Sequence, residues 1–99
     1  MLVVKIHTTY RNVVAICDHS LLGKRLEDEK RQLELRESFF GGEPKTRDEV
    51  AEIMRAQAKE DATFNIAGKE ATQLAQELGI IDKEGISKIQ GVPFALVLL

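Results

Sequence analysis

Two short runs rich in β-branched residues open the chain, residues 2–9 and 12–18, and that composition predicts a pair of strands. Between them Tyr10 and Arg11 lead into Asn12, a residue that tolerates a left-handed backbone, so the pattern reads as a β-hairpin. Residues 19–30 break the apolar rhythm. They carry Gly23, the basic pair Lys24-Arg25 and the acidic run Glu27-Asp28-Glu29, with Leu21, Leu22 and Leu26 enough for one short helical turn inside a connection. In residues 31–37 polar positions alternate with Leu33 and Leu35, the period of a half-buried strand.

Residues 46–60 switch to helical spacing. Thr46 and Glu49 stand three apart as a capping box, and Val50, Ile53, Met54, Gln57 and Ala58 follow on one face. Residues 62–67 suit a short strand or an extended connection. A second amphipathic helix spans 69–78, with Ala71, Leu74, Ala75 and Leu78 on its apolar side, and Gly79 stands where a helix-ending glycine belongs. Residues 86–90 and 94–99 read as strands around a bend at Gly91-Val92-Pro93. Pro93 has no amide hydrogen to give a ladder and so marks a strand start. The order β-β-β-α-β-α-β-β, with too few helices to cover both faces of a sheet, predicts an α+β fold. The expected form is a two-layer sandwich, a mostly antiparallel sheet with two helices on one face, beginning with a hairpin. The run from Phe94 to Leu99 is apolar at every position, which predicts either a central strand or a strand covered by a second subunit, so a homo-oligomer is one expectation.

Ninety-nine residues make a single domain, 1–99, able to bury roughly 60–70% of its unfolded surface. Five per cent aromatic content without tryptophan requires an aliphatic core. Fourteen Lys and Arg against sixteen Asp and Glu give a net charge of −2, which argues against a whole-domain attraction to nucleic acid or anionic membrane but allows a local basic patch. The single cysteine, Cys17, rules out a disulfide framework and favours a reducing, cytoplasmic setting. No apolar run approaches the roughly 20 residues that span a bilayer, and the first residues lack the charged region of a signal peptide.

Candidate chemistry is sparse. His7, Cys17, Asp18 and His19 contain the residue types of a zinc site, but Cys17 reads better as a small core residue and His19 as an exposed turn residue. No paired-carboxylate site emerges, since Asp48 and Glu49 suit a helix N-terminus. Gly68-Lys69 opens the second helix without the spaced glycines of a phosphate loop. The distinctive stretch is Phe39-Phe40-Gly41-Gly42-Glu43-Pro44, read as a shaped loop. With Lys24 and Arg25 it could combine aromatic stacking with phosphate contacts, as single-stranded RNA readers do. Against this, the phenylalanines would anchor the loop to the core and the glycines would permit a left-handed turn.

Several pieces together carry a resemblance. They are Val13-Val14-Ala15-Ile16-Cys17-Asp18, Leu21-Leu22-Gly23-Lys24, Ser38-Phe39-Phe40-Gly41-Gly42-Glu43, Asn65-Ile66-Ala67-Gly68 and Gly91-Val92-Pro93. The chain resembles an archaeal family known by a domain-of-unknown-function number, 424, and the likeness covers most of its length. The resemblance implies an archaeal cytosolic protein and carries no activity. The family pattern sets a His-Ala-Gln after Gly-Val-Pro, whereas this chain has Phe94-Ala95-Leu96, which weakens an enzyme reading further.

The sequence therefore points to a non-catalytic binding or interaction module with no cofactor and no metal. Its expected contact residues are Lys24, Arg25, Phe40, Gly41 and Gly42, and its expected partner is RNA or a ribonucleoprotein, such as ribosome-associated machinery, or another protein. The alternative is a protein or enzyme that binds a small anion, a nucleotide or phosphorylated metabolite, at the Gly68 helix terminus or the Gly41-Gly42 loop.

Overall fold

The two opening strands pair as expected. In the computed structural model, which describes residues 1–98, β1 (Leu2–His7) and β2 (Val13–Asp18) run antiparallel with Val3 opposite Cys17 and His7 opposite Val13. Asn12 does not use the left-handed region. Its side-chain amide donates to Gln57 Oε1 at 3.1 Å and its carbonyl accepts from the Thr63 amide at 2.9 Å, so it ties the hairpin to later elements. The connection predicted at 19–30 holds a 3₁₀ turn (His19–Leu21) and then β3 (Arg25–Glu27), which pairs with β4 (Gln32–Glu34) as a separate two-stranded sheet. Leu26 is the only apolar residue of β3, too little for alternation to reveal the strand.

The expected loop at 39–44 begins as one helical turn, α1 (Glu37–Phe40). Helix α2 (Arg47–Lys59) starts at the predicted capping box: the Glu49 amide donates to Thr46 Oγ1 at 3.2 Å, and the Thr46 amide donates to the Glu49 carboxylate at 3.0 Å. That backbone bond, seconded by the Thr46 hydroxyl, holds the Glu49 carboxyl below the usual range. β5 (Thr63–Ala67) and α3 (Lys69–Glu77) follow, and α3 ends at Gly79 with φ +75°, the left-handed conformation glycine supplies cheaply. β6 (Ser87–Ile89) and β7 (Val92–Val97) close the chain around a Gln90-Gly91 turn, both residues at positive φ. Pro93 is therefore the second residue of its strand rather than the first. Its ring nitrogen faces away from β6 in the Lys88–Pro93 pair, and its carbonyl accepts from the Gly68 amide at 2.8 Å. Of the predicted 94–99 strand, Leu99 lies outside the described residues.

The main sheet has the order β1-β2-β5-β7-β6. It is mixed, with β2 and β5 parallel and the other neighbours antiparallel. Alternation along the strands separates two faces. Leu2, Val4, Val14, Ile16, Phe64, Ile66 and Ala95 join Val50, Ala51 and Met54 of α2 and Ala71, Leu74 and Ala75 of α3 in one apolar cluster. The other face is also covered, which a plain two-layer sandwich leaves out. Val3, Ala15, Cys17 and Ala67 pack there against Leu35 and Phe40, with Leu21, Leu22 and Leu33 around them. Charged composition in the β3–β4 hairpin hid this layer, because only its inward leucines contribute.

Two glycine-dependent contacts lock the layers. Asp18, at the end of β2, accepts from the Glu70 amide at 3.2 Å and the Ala71 amide at 2.8 Å, capping α3 from a distant strand. Gly68 makes room for it: at φ +110°, a Cβ there would lie 2.3 Å from Asp18 Cγ. Gly68→Ala is expected to destabilise the fold by at least about 1–3 kcal/mol from backbone strain alone, with the clash adding to it. Asp18→Ala should cost about 0.5–2 kcal/mol through the lost cap. Urea unfolding of both variants checks the order, and a Gly68→Ala protein as stable as the parent would remove the steric account.

Candidate interaction face

The residues that could have made a catalytic or metal centre are separated by the fold. Cys17 and Asp18 are neighbours on β2 and so point to opposite faces. His7 pairs near the other end of the hairpin, four residues along β1 from the Val3 that faces Cys17, a span of about 13 Å at strand rise. Its Nε2 lies 2.9 Å from the Phe39 carbonyl, which can only accept, so Nε2 carries the proton. The ring also stacks on Phe39 with centroids 4.7 Å apart. Among the described residues no group of three or more His, Cys, Asp or Glu could hold a metal ion. Burial, with the Asp18 charge as a second cause, pushes the Cys17 thiol up to about 12, so it is neither thiolate nor accessible.

Of the five expected contact residues, Lys24, Arg25 and Gly42 are exposed, while Phe40 and Gly41 are buried. Phe40 is 4% exposed and meets Phe39 edge-on with centroids 5.1 Å apart. As the only large aromatic of α1 that can reach the second apolar cluster in full, it anchors the turn and cannot stack a base. Gly41 and Gly42 do not serve a left-handed turn either. Neither has a positive φ, and a Cβ would lie 2.1 Å from the Glu37 carbonyl oxygen at Gly41 and 2.9 Å from the Val4 carbonyl oxygen at Gly42. They permit close backbone approach. Arg25 donates to Gln32 Oε1 at 2.9 Å, pairs with Glu27 at 3.5 Å and lies across the ladder from Glu34, so much of its charge is answered locally. Glu34 is held below the usual carboxylate range chiefly by its hydrogen bond from Arg36.

The anion-binding alternatives meet the same difficulty. The α3 amides of Glu70 and Ala71 already serve Asp18, and the Gly41 amide serves the Glu37 carbonyl at 2.7 Å.

What the residues leave open lies on the second sheet face, beyond the edge of the hairpin and α1. There, among the described residues, the middle of β5 and the end of β7 are only partly covered, with Asn65 opposite Leu96. Leu96 is 55% exposed and Leu98 is 71% exposed. A hollow of about 160 Å³ lies at Leu96, between Leu33 and Phe40 of the covering layer and Asn65 and Phe94 of the sheet. The unbroken apolar run at 94–99 was the signal for this face. Its alternation puts Ala95 in the helix-side core but leaves Leu96 in solvent, so β7 is not buried on both sides.

An α+β module with dispersed titratable groups and an open apolar patch is thus the class that fold and site define. The chain belongs to the protein family of unknown function DUF424, whose family model matches residues 6–99. It is similar to an uncharacterized conserved protein from Methanopyrus kandleri, an archaeon, known from a crystal structure. That likeness has a TM-score of 0.85 at 27% identity and covers 97% of this chain and 89% of the other. No curated protein matches. Among the described residues no helix is long and apolar enough to cross a membrane.

The Cys17 environment makes a direct prediction. Thiol reagents should label the native protein only at the rate of unfolding. Because the folded thiol titrates near 12 and the unfolded one near 9.0, the unfolded chain releases its proton first as pH rises. Stability should be full below pH 9 and fall between about 9 and 12. Cys17→Ala should flatten that part of the pH–stability curve, and an unchanged slope would show that Cys17 is not its source.

Proposed function

We propose that this protein is a non-catalytic interaction module of the archaeal cytoplasm, and that it docks a protein partner at the open end of its second sheet face. The observation that carries this reading is Leu96, a large apolar side chain exposed on a strand and set beside a hollow walled by Leu33 and Phe94. A partner's apolar side chain entering that hollow would remove Leu96 from water, and the Asn65 amide beside it could bond the partner's backbone. The separation of His7 from Cys17 and the buried, protonated state of Cys17 speak against covalent or acid–base chemistry.

A ribosome- or RNA-associated role is the second reading, favoured by the exposed Lys24-Arg25 pair. With Arg25 already paired to Glu27, that contact would be a minor electrostatic contribution. A small-anion ligand finds less support, because Asp18 itself acts as the anion at the α3 N-terminus.

Sedimentation of native lysate separates these readings. The protein should migrate as part of a larger particle that survives ribonuclease. Leu96→Asp should return it to its free size with an unchanged melting temperature, since the side chain is already exposed. Loss of the particle on ribonuclease treatment, with a flatter salt dependence for Lys24→Ala/Arg25→Ala, would transfer the role to RNA. Migration of the parent protein at its free size would sink the docking reading.

A further inference from the structure

We infer that the outer edge of β1 is a self-association site, at which β1 of a second copy pairs antiparallel with Ile6 opposite Ile6. In an antiparallel ladder, successive residues direct their backbone groups alternately toward and away from the partner strand. Leu2 faces away from β2, since its amide donates to the Lys45 carbonyl at 3.1 Å and its carbonyl accepts from the Lys45 amide at 2.7 Å. Val4 and Ile6 share that orientation. The chain covers only the first part of this edge: Lys45 pairs with Leu2, and Gly42 packs against the Val4 carbonyl. Among the described residues no backbone bond outside the strand ladders reaches Val4 or Ile6. Ile6 is 39% exposed, a large apolar side chain on an edge strand.

The usual protections of an edge are a proline, a bulge or an outward-reaching lysine. Here Pro44 lies just before Lys45, in the segment that covers Leu2, and β1 pairs with β2 without a break in register. Lys5 does not guard the edge, because its Nζ donates to the Ser38 carbonyl at 3.0 Å. The opposite sheet edge is treated differently: Arg31 donates to the outward Lys88 carbonyl of β6 at 2.6 Å and stands over the Phe94 ring.

The occupant follows from length. A two-fold axis at Ile6 sets Val4 opposite Thr8 of the other copy, and Leu2 opposite its Tyr10. β1 ends at His7 and the chain bends from Thr9, so the second copy leaves the edge at the Val4 carbonyl, where Gly42 begins to cover it, and the reciprocal Ile6 bonds are the core of the contact. A longer foreign strand would run into that segment. The contact is self-complementary, as a two-fold interface must be. An edge this short buries less than the roughly 1,200–2,000 Å² of a stable interface, so the dimer is reversible and depends on concentration.

Sedimentation velocity over a wide concentration series, with amide hydrogen exchange on the same samples, tests this. The mean mass should rise toward a dimer with concentration, and Ile6→Lys should weaken association about tenfold or more. Leu96→Asp, on the far side of the sheet, should leave it unchanged. Among the described residues the Ile6 amide has no backbone partner, so its protection should rise with concentration, while the Lys5 and His7 amides, bonded to β2, stay protected throughout. A monomer at every concentration overturns the inference. So does a dimer in which the Ile6 amide exchanges freely, or one that Leu96→Asp breaks and Ile6→Lys does not. The exchange readout on the parent protein decides the matter even if Ile6→Lys fails to fold.

Discussion

The Asp18 carboxylate at the α3 N-terminus is the contact on which most of the architecture converges. It sits at the end of β2, and its two acceptors meet the Glu70 and Ala71 amides. Both are orphan donors at a helix start, and a charged acceptor there also opposes the helix dipole. The approach is so close that residue 68 can have no side chain. Gly68 in turn donates to Pro93 and accepts from the Thr72 amide and hydroxyl, at 2.8, 2.9 and 2.8 Å respectively. One junction therefore holds the ends of β2 and β5, the start of α3 and the first residues of β7. The parallel β2–β5 pair, which cannot be closed by a tight turn, gains its lateral restraint there.

A second set of polar contacts does for the outer layer what Asp18 does for α3. One helical turn leaves its last carbonyls without partners of its own. In α1 the Ser38 carbonyl takes the Lys5 ammonium and the Phe39 carbonyl takes His7. Alternation puts both donors on the same face of β1, so a strand that looks merely half polar is in fact the support for the turn above it. With Phe40 beneath and Phe39 stacked on His7, the turn is pinned by apolar and polar contacts together. This explains why the two phenylalanines are adjacent: one fills the cluster, the other closes it at the side.

Legibility in the sequence followed the strength of each local signal. The capping box at Thr46 and Glu49, the spacing of Val50, Met54, Ala71 and Leu74, and the glycine stop at Gly79 are local and unambiguous, and the helices appear where they indicate. The opening hairpin was equally plain. The β3 strand, the α1 turn and the covering layer were not, because each depends on one or two apolar residues meeting partners far along the chain. Leu26 in a charged run carries no period, and Leu35 is fully buried in a cluster with Val3 and Cys17, far from it along the chain. At the expected contact surface, glycine and phenylalanine composition signalled a special place but could not tell close packing from exposure. Phe40 and Gly41 proved to serve the former. Leu96 went unnamed because an apolar run reads as core until the sheet order shows which face lacks a cover.

Those two kinds of unfinished surface, a face and an edge, have different physical origins. The open face arises because the β3–β4 hairpin and α1 together are shorter than the sheet they cover, so β5 and β7 extend beyond them with Asn65 and Leu96 on view. The open edge arises because the segment crossing from α1 to α2 passes over β1 at Leu2 and Val4 and then turns into α2 at Thr46. Gly41 and Gly42 set the path of that crossing by letting it hug Glu37 and Val4. A side chain at either glycine would push the segment outward and alter how much of the β1 edge it shields. The glycine pair that marked the sequence as unusual thus acts at a distance from any ligand. Its role is to fix where the covered part of the strand ends and where Ile6, with its outward backbone groups, begins.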